Sequence, residues 1–384
     1  MTRTRTCKLT RAARKLALLL ALFCLVALAG CQYFAQDARH GRVYAAGRMT
    51  TRRAAHTATL LADGRVLLAG GMERAAGEEI NTATAELFDP ASGACRAAGR
   101  MQARRAGHTA TLLTDGDVLL AGGFDEGVPL ASAELYHPAT DTFTPLAPMR
   151  ARRSGHTATR LADGRVLLAG GHYNLSDVNA DAELYDPATR SFGPAGVMTT
   201  PRVMHSATLL ADGRVLLAGG SARFRSDVLP SAELYEPGAN TYTPTAPMSR
   251  PRTKHAAALL ADGRVLILGG TDDASALAGA QASAEVYDPA RHAFAAAGAM
   301  GDARFKINSC AATLPNGLVL VGGGSRYVEL YDPRARVFGT AAGRLDGAWL
   351  YPTVTPLAGG RVLLTGGYDD GMNVTAGLWL YQSG

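Results

Sequence analysis

Short apolar runs recur along the chain at an almost fixed interval, each closed by glycine. Val66-Leu67-Leu68-Ala69 and Val166-Leu167-Leu168-Ala169 are wholly apolar, the pattern of a strand covered on both faces. The Gly-Gly doublets that follow such runs begin at Gly70, Gly122, Gly170, Gly219, Gly269, Gly322 and Gly366, with spacings of 52, 48, 49, 50, 53 and 44 residues. A period near 50 residues, repeated seven times, is the mark of a chain built from copies of one small β-sheet.

Four strands, a to d, are legible in each copy. The a to b connection carries Asp63-Gly64, Asp115-Gly116, Asp163-Gly164, Asp212-Gly213, Asp262-Gly263, Asn316-Gly317 or Gly359-Gly360, pairs that suit a two-residue type I′ turn. The c to d turn carries a proline, as in Asp89-Pro90 and Asp186-Pro187, which presets φ and cannot donate to a ladder. Met49, Met101, Met149, Met198, Met248, Met300 and Leu345 mark the ends of d strands. The first of these precedes any doublet, while the last copy has strands near 351–356, 361–365 and 378–382 and then ends. The segment 41–49 is therefore expected to supply the missing outer strand of the seventh copy. The chain is thus predicted to be all-β, a seven-bladed β-propeller over 42–384 whose blade 7 is closed by an N-terminal outer strand.

These features resemble the Kelch-repeat β-propellers, and the resemblance covers nearly everything from residue 42 onward. It rests on the doublets, the apolar b strands, Glu-Leu-Tyr-Asp-Pro segments such as 183–187, and a later aromatic. One departure is plain. The family usually carries Trp on strand d, whereas this chain has Phe143, Phe192, Tyr242, Phe294 and Phe338, with Cys95 and Val43 in the other two blades.

The first thirty residues are of another kind. Arg3, Arg5, Lys8, Arg11, Arg14 and Lys15 precede an apolar run from Leu16 to Leu28, which reads as a secretory leader too short to serve as a spanning helix. Leu28-Ala29-Gly30-Cys31 resembles the lipobox of bacterial lipoproteins, which implies a signal peptide over 1–30, a diacylated, palmitate-bearing Cys31 and a lipidated tether over 31–41. Gln32 after Cys31 points, within that resemblance, to the outer membrane. Removing the leader changes the charge argument. The formal +6 of the whole chain falls to 33 basic against 33 acidic residues, so the clustered positive charge that nucleic acid requires is absent. Cys95 and Cys310 remain, in different repeats, read as buried free thiols with a disulfide as the alternative.

Seven repeats in one chain act as an internal alignment. Just before strand a stand Arg53, Arg105, Arg153, Arg202 and Arg252, with Lys306 read as the sixth and Trp349 as the seventh. Three residues on come His56, His108, His156, His205 and His255, then Ser309 and Pro352. On strand c the equivalents are Glu86, Glu134, Glu183, Glu233, Glu285 and Glu329, then Trp379. Joint loss in the seventh repeat argues for one structural unit, an Arg to Glu pair with the His hydrogen-bonded nearby. The other reading, implied by the resemblance, sets the basic residues at the top mouth to grip acidic ligand groups. One His per blade is too dispersed for a metal, and no catalytic, cofactor or phosphate-cradling motif occurs.

The b to c loops vary most and offer Arg74, Asp125, Glu126, His172, Tyr173, Asn174, Arg223, Arg225, Asp272, Asp273, Tyr327, Tyr368 and Asp369 as candidate contacts. The leading expectation is a non-enzymatic, lipid-anchored envelope protein that binds a protein or glycan through this face. The alternative, drawn from secreted Kelch relatives, is a sugar-acting enzyme resembling a sialic acid mutarotase, with Arg153, Arg202, Arg252, Asp272 and Glu126 as its polar groups. The copper-oxidase form of that alternative lacks its paired Tyr, His and Cys set here.

Overall fold

The computed structural model describes residues 40–75, 78–273 and 279–384. The leader, Cys31 and the tether up to residue 39 lie outside them. Seven antiparallel four-stranded sheets form a ring, each ordered a-b-c-d from the axis outward. In blade 3 these are Thr157–Arg160, Val166–Ala169, Asp181–Asp186 and Ser191–Val197. Strand b is buried throughout because the faces of neighbouring blades cover it on both sides. The core is accordingly shared between blades. Leu167, Leu184 and Met198 of blade 3 pack with Val215, Leu217 and Tyr235 of blade 4 in one apolar cluster. No blade can bury its apolar faces alone, so the ring has to close.

Closure is as the strand count requires. Arg42–Arg48 is the outer strand of blade 7, paired with Gly377–Gln382 in a register running from Arg42 opposite Gln382 to Arg48 opposite Gly377. Val43 stands opposite Tyr381, the place that Phe192 takes opposite Tyr185 in blade 3. In five blades this c to d pair is aromatic on aromatic, with ring centroids 4.8–5.1 Å apart.

Two local expectations are corrected. The a to b connection is not a two-residue type I′ turn. Gly64 N–H donates to Leu61 O at 3.0 Å and Leu61 N–H to Arg65 O at 2.8 Å, and Gly64 has φ +87° while Asp63 stays out of the left-handed region. That is a type I turn ending in a left-handed glycine, a three-residue loop in which only one position needs positive φ. Asp63 is free to accept from Arg65 N–H at 3.0 Å and to pair with its guanidinium. In blade 6 the functional doublet is Gly323-Gly324, since these two have positive φ and Gly322, directly after strand b (Val319–Val321), stands where Ala169 does in blade 3. The a to b and c to d turns share one end of the ring, called the bottom. The b to c loops and the d to a connections share the top.

Candidate functional site

The repeated Arg and Glu residues form a buried pair within each blade. Arg153 Nη2 donates to Glu183 Oε1 at 2.9 Å, while Nη1 donates to the carbonyls of Gly170 and Asp181 at 2.9 and 3.1 Å. Glu183 also accepts from the amides of Arg150 and Ala151. The same pair joins Arg53 to Glu86, Arg105 to Glu134, Arg202 to Glu233 and Arg252 to Glu285, at 2.7–3.0 Å, with each arginine fully buried. None of these arginines lines the central cavity. Their geometry serves the strand b to strand c seam.

In blade 6 the residue in this role is Arg304, not Lys306. Arg304 pairs with Glu329 at 2.6 Å and donates to Gly323 O at 2.8 Å. The equivalent of the histidine is then Ile307, not Ser309. Blade 7 replaces the ion pair with Trp349 and Trp379, whose rings lie 6.1 Å apart.

The histidines do not join the Arg and Glu. Each sends Nε2 to a hydroxyl of the preceding blade: His56 to Thr365, His108 to Thr57, His156 to Thr109, His205 to Thr157 and His255 to Ser206, at 2.7–3.1 Å. Burial holds them neutral. It pulls His56, His156 and His255 down to about 3, with the neighbouring arginine adding to the effect, and depresses His108 and His205 strongly. These five links stitch blade 7 to blade 1 and so on round to blade 5, four of them at an inner-strand hydroxyl and that of His56 at Thr365 on strand b. The doublet explains the close approach: a Cβ at Gly70 would lie 2.5 Å from Arg105 O and 2.8 Å from the His108 ring.

One residue before each histidine position lies a ring that sequence reasoning passed over. Ala55, Gly107, Gly155, Met204, Lys254, Lys306 and Tyr351 all have φ between 50° and 64°. This turn aims their backbone groups sideways, into a closed chain of interblade hydrogen bonds. Gly107 N–H donates to Ala55 O, Gly155 to Gly107, Met204 to Gly155, Lys254 to Met204, Ile307 to Lys254, Tyr351 to Lys306 and Ala55 to Tyr351, at 2.8–3.5 Å. The ring frames the top mouth of a central cavity of about 860 Å³. The signal was present in the sequence: two positions between the repeated Arg and His change from blade to blade, and the ring is built from the second of them.

The mouth is lopsided. Blades 1 to 3 contribute Ala55, Gly107 and Gly155, and blades 4 to 7 contribute Met204, Lys254, Lys306 and Tyr351. Lys306 Nζ donates to Tyr368 Oη at 2.8 Å and sits 5.1, 5.2 and 5.9 Å from the ring centres of Tyr368, Phe305 and Tyr351. Arg225, at the tip of the blade 4 hairpin, stacks on Phe224, which stacks on His172 at 4.1 Å. Burial, then the charges of Lys306 and Arg225, lower Lys254 to about 8, with Asp273 opposing. Lys306 is lowered by burial, with Asp370 opposing and Arg225 adding. Among the described residues, three cations line the cavity, Arg225, Lys254 and Lys306, against one carboxylate, Glu79. Below them the wall is hydroxyl-rich, with Thr57, Thr109, Thr157, Ser206, Ser309 and Thr353.

Of the loop candidates, His172, Arg225 and Tyr368 line the cavity. The others lie around it. Glu126 reaches Arg104 at 4.0 Å, Arg223 reaches Asp227 at 3.5 Å, and Asp369 caps its own loop through Gly371 and Asn373. Tyr173 and Tyr327 are exposed. Cys95 and Cys310 are free thiols, and burial pushes both up to about 12.

Ring, blade and repeat together define a propeller of Kelch-type repeats. Residues 104–150, one full blade length, match the model of the Kelch motif. No curated protein matches the chain. Among solved structures it is similar to a fungal alcohol oxidase of the AA5 family, solved in complex with copper. The two share 15% identity and a TM-score of 0.71 over 90% of this chain and 76% of that one, a likeness of fold. Among the described residues no three His, Cys, Asp or Glu side chains are grouped to share a metal, and each ring histidine spends Nε2 on a hydroxyl.

Proposed function

We propose that the protein is a lipid-anchored binding module of the bacterial cell envelope, which holds its ligand at the top mouth of the propeller. The observation that carries this reading is the contrast between the two faces. The bottom is a near-uniform set of turns, whereas the top opens into a cavity whose rim differs from blade to blade. A rigid scaffold with one varied, concave face places recognition there. A concave cavity of about 860 Å³ favours a glycan unit over a flat protein surface, of the two partner types expected.

The anchor fits this polarity. Strand d of blade 7 rises from the bottom, with Arg42 beside Gln382 at that end. Lipid on Cys31 therefore sets the bottom toward the membrane and the mouth away from it. The test is fractionation of the full chain and its Cys31→Ala variant. The parent is expected in the membrane fraction and the variant in the soluble envelope fraction. A variant that stays with the membrane overturns the anchor.

A further inference from the structure

The mouth carries a second message in its backbone. Positive φ costs a residue with a Cβ about 1 kcal/mol or more, and glycine nothing. Gly107 and Gly155 show that the interblade hydrogen-bond ring forms with glycine in place. At Lys254 and Lys306 the chain nevertheless holds long cationic side chains in the left-handed region, at equivalent positions of adjacent blades. Both line the cavity together with Arg225, whose charge makes each lysine costlier to charge. The fold does not require this arrangement, and burial makes it costly.

A second observation lies beside it. Asn308 Oδ1, two residues beyond Lys306 and on the cavity wall, is buried with no hydrogen-bond partner in the protein. Across the mouth, Ser154 Oγ is likewise buried and unpartnered. Together with the threonine and serine hydroxyls lower in the channel, these groups suit a ligand rich in hydroxyls. The cations suit a carboxylate, because ammonium and guanidinium groups make their strongest hydrogen bonds to anionic oxygen.

We infer that the mouth sector of Lys254, Lys306 and Arg225 is the binding site for the carboxylate of an acidic sugar, whose hydroxyls face Asn308 and the channel wall. The inference rests on the binding reading above and narrows it to one ligand class. Asp273 acts on Lys254 and Asp370 on Lys306, and Glu79 lines the same cavity.

The probes are D-glucuronate, its neutral analogue D-glucuronamide, and acetate, titrated calorimetrically into the full chain. Glucuronate is expected to bind at least tenfold more tightly than either of the others. Lys254→Gly and Lys306→Gly are each expected to weaken glucuronate tenfold or more, with melting temperatures held within about 3 °C, since glycine relieves the backbone. Equal binding of glucuronate and glucuronamide overturns the carboxylate assignment. So does undiminished binding by both glycine variants, or no glucuronate binding at all. Glucuronamide binding that is lost on substitution of Phe224 or His172 leaves the mouth as a binding site while removing the acidic ligand. Failure of the ligand class is thereby separated from failure of the site.

Discussion

Replacing Arg153 with methionine tests whether the repeated arginines are structural. The side chain is fully buried and donates to Glu183, Gly170 O and Asp181 O. Methionine preserves much of the volume but leaves Glu183, whose side chain is 1% exposed, as a carboxylate held only by two backbone amides. Gly170 O and Asp181 O each lose a donor as well. Breaking one side of a buried pair costs about 3–5 kcal/mol. At about 2.1 cal/mol/K per residue, a propeller of roughly 340 residues unfolds with about 0.7 kcal/mol/K, so Tm should fall by about 4–7 °C. Adding Glu183→Leu removes the stranded charge and should recover at least half of the loss, as blade 7 does with Trp349 and Trp379. Differential scanning calorimetry of parent, single and double variants decides it. A single variant within about 1 °C of the parent, or a double variant less stable than the single, refutes the reasoning.

Other outcomes follow from the same geometry. The five ring histidines are neutral in the fold and protonate in the unfolded chain below about pH 6.5. The unfolded state then binds more protons, so stability is full above that pH and falls toward about pH 3. The slope approaches about 1.4 kcal/mol per pH unit for each histidine, and His156→Asn should remove about a fifth of it in pH-dependent denaturant melts. Gly70→Ala should cost at least twice as much as Gly64→Ala. Both have positive φ, but only at Gly70 does a Cβ meet a backbone oxygen, at 2.5 Å, and a histidine ring.

How far the sequence reached depends on the kind of constraint. Val166-Leu167-Leu168-Ala169 announces a doubly covered strand because burial selects for it directly, and the surplus of one outer strand at 41–49 made closure a matter of counting. The Asp-Gly turns were assigned the wrong geometry because the dipeptide fits both turns, and which one forms depends on Ala62 entering the loop. Blade 6 was misregistered by two residues: with Ile307 in place of the histidine, Lys306 was the nearest basic residue to that landmark, and Arg304 was passed over. The mouth escaped for a different reason. Lys254 and Lys306 lie far apart in sequence and meet only because adjacent blades bring equivalent positions to one ring, while Arg225 reaches the same cavity from the tip of the blade 4 hairpin. The histidines' partners, hydroxyls one blade back, are likewise a product of closure.

The central claim is that recognition lies with the mouth lysines and stability with the buried arginines. Titrating D-glucuronate into Lys306→Gly and Arg105→Met, alongside a melt of each, tests both halves at once. The account requires Lys306→Gly to lose affinity at nearly unchanged Tm, and Arg105→Met to lose about 4–7 °C while binding like the parent at temperatures where it is folded. If Arg105→Met instead loses the ligand at unchanged Tm, or Lys306→Gly melts early and binds normally, the roles assigned to the two rings are reversed.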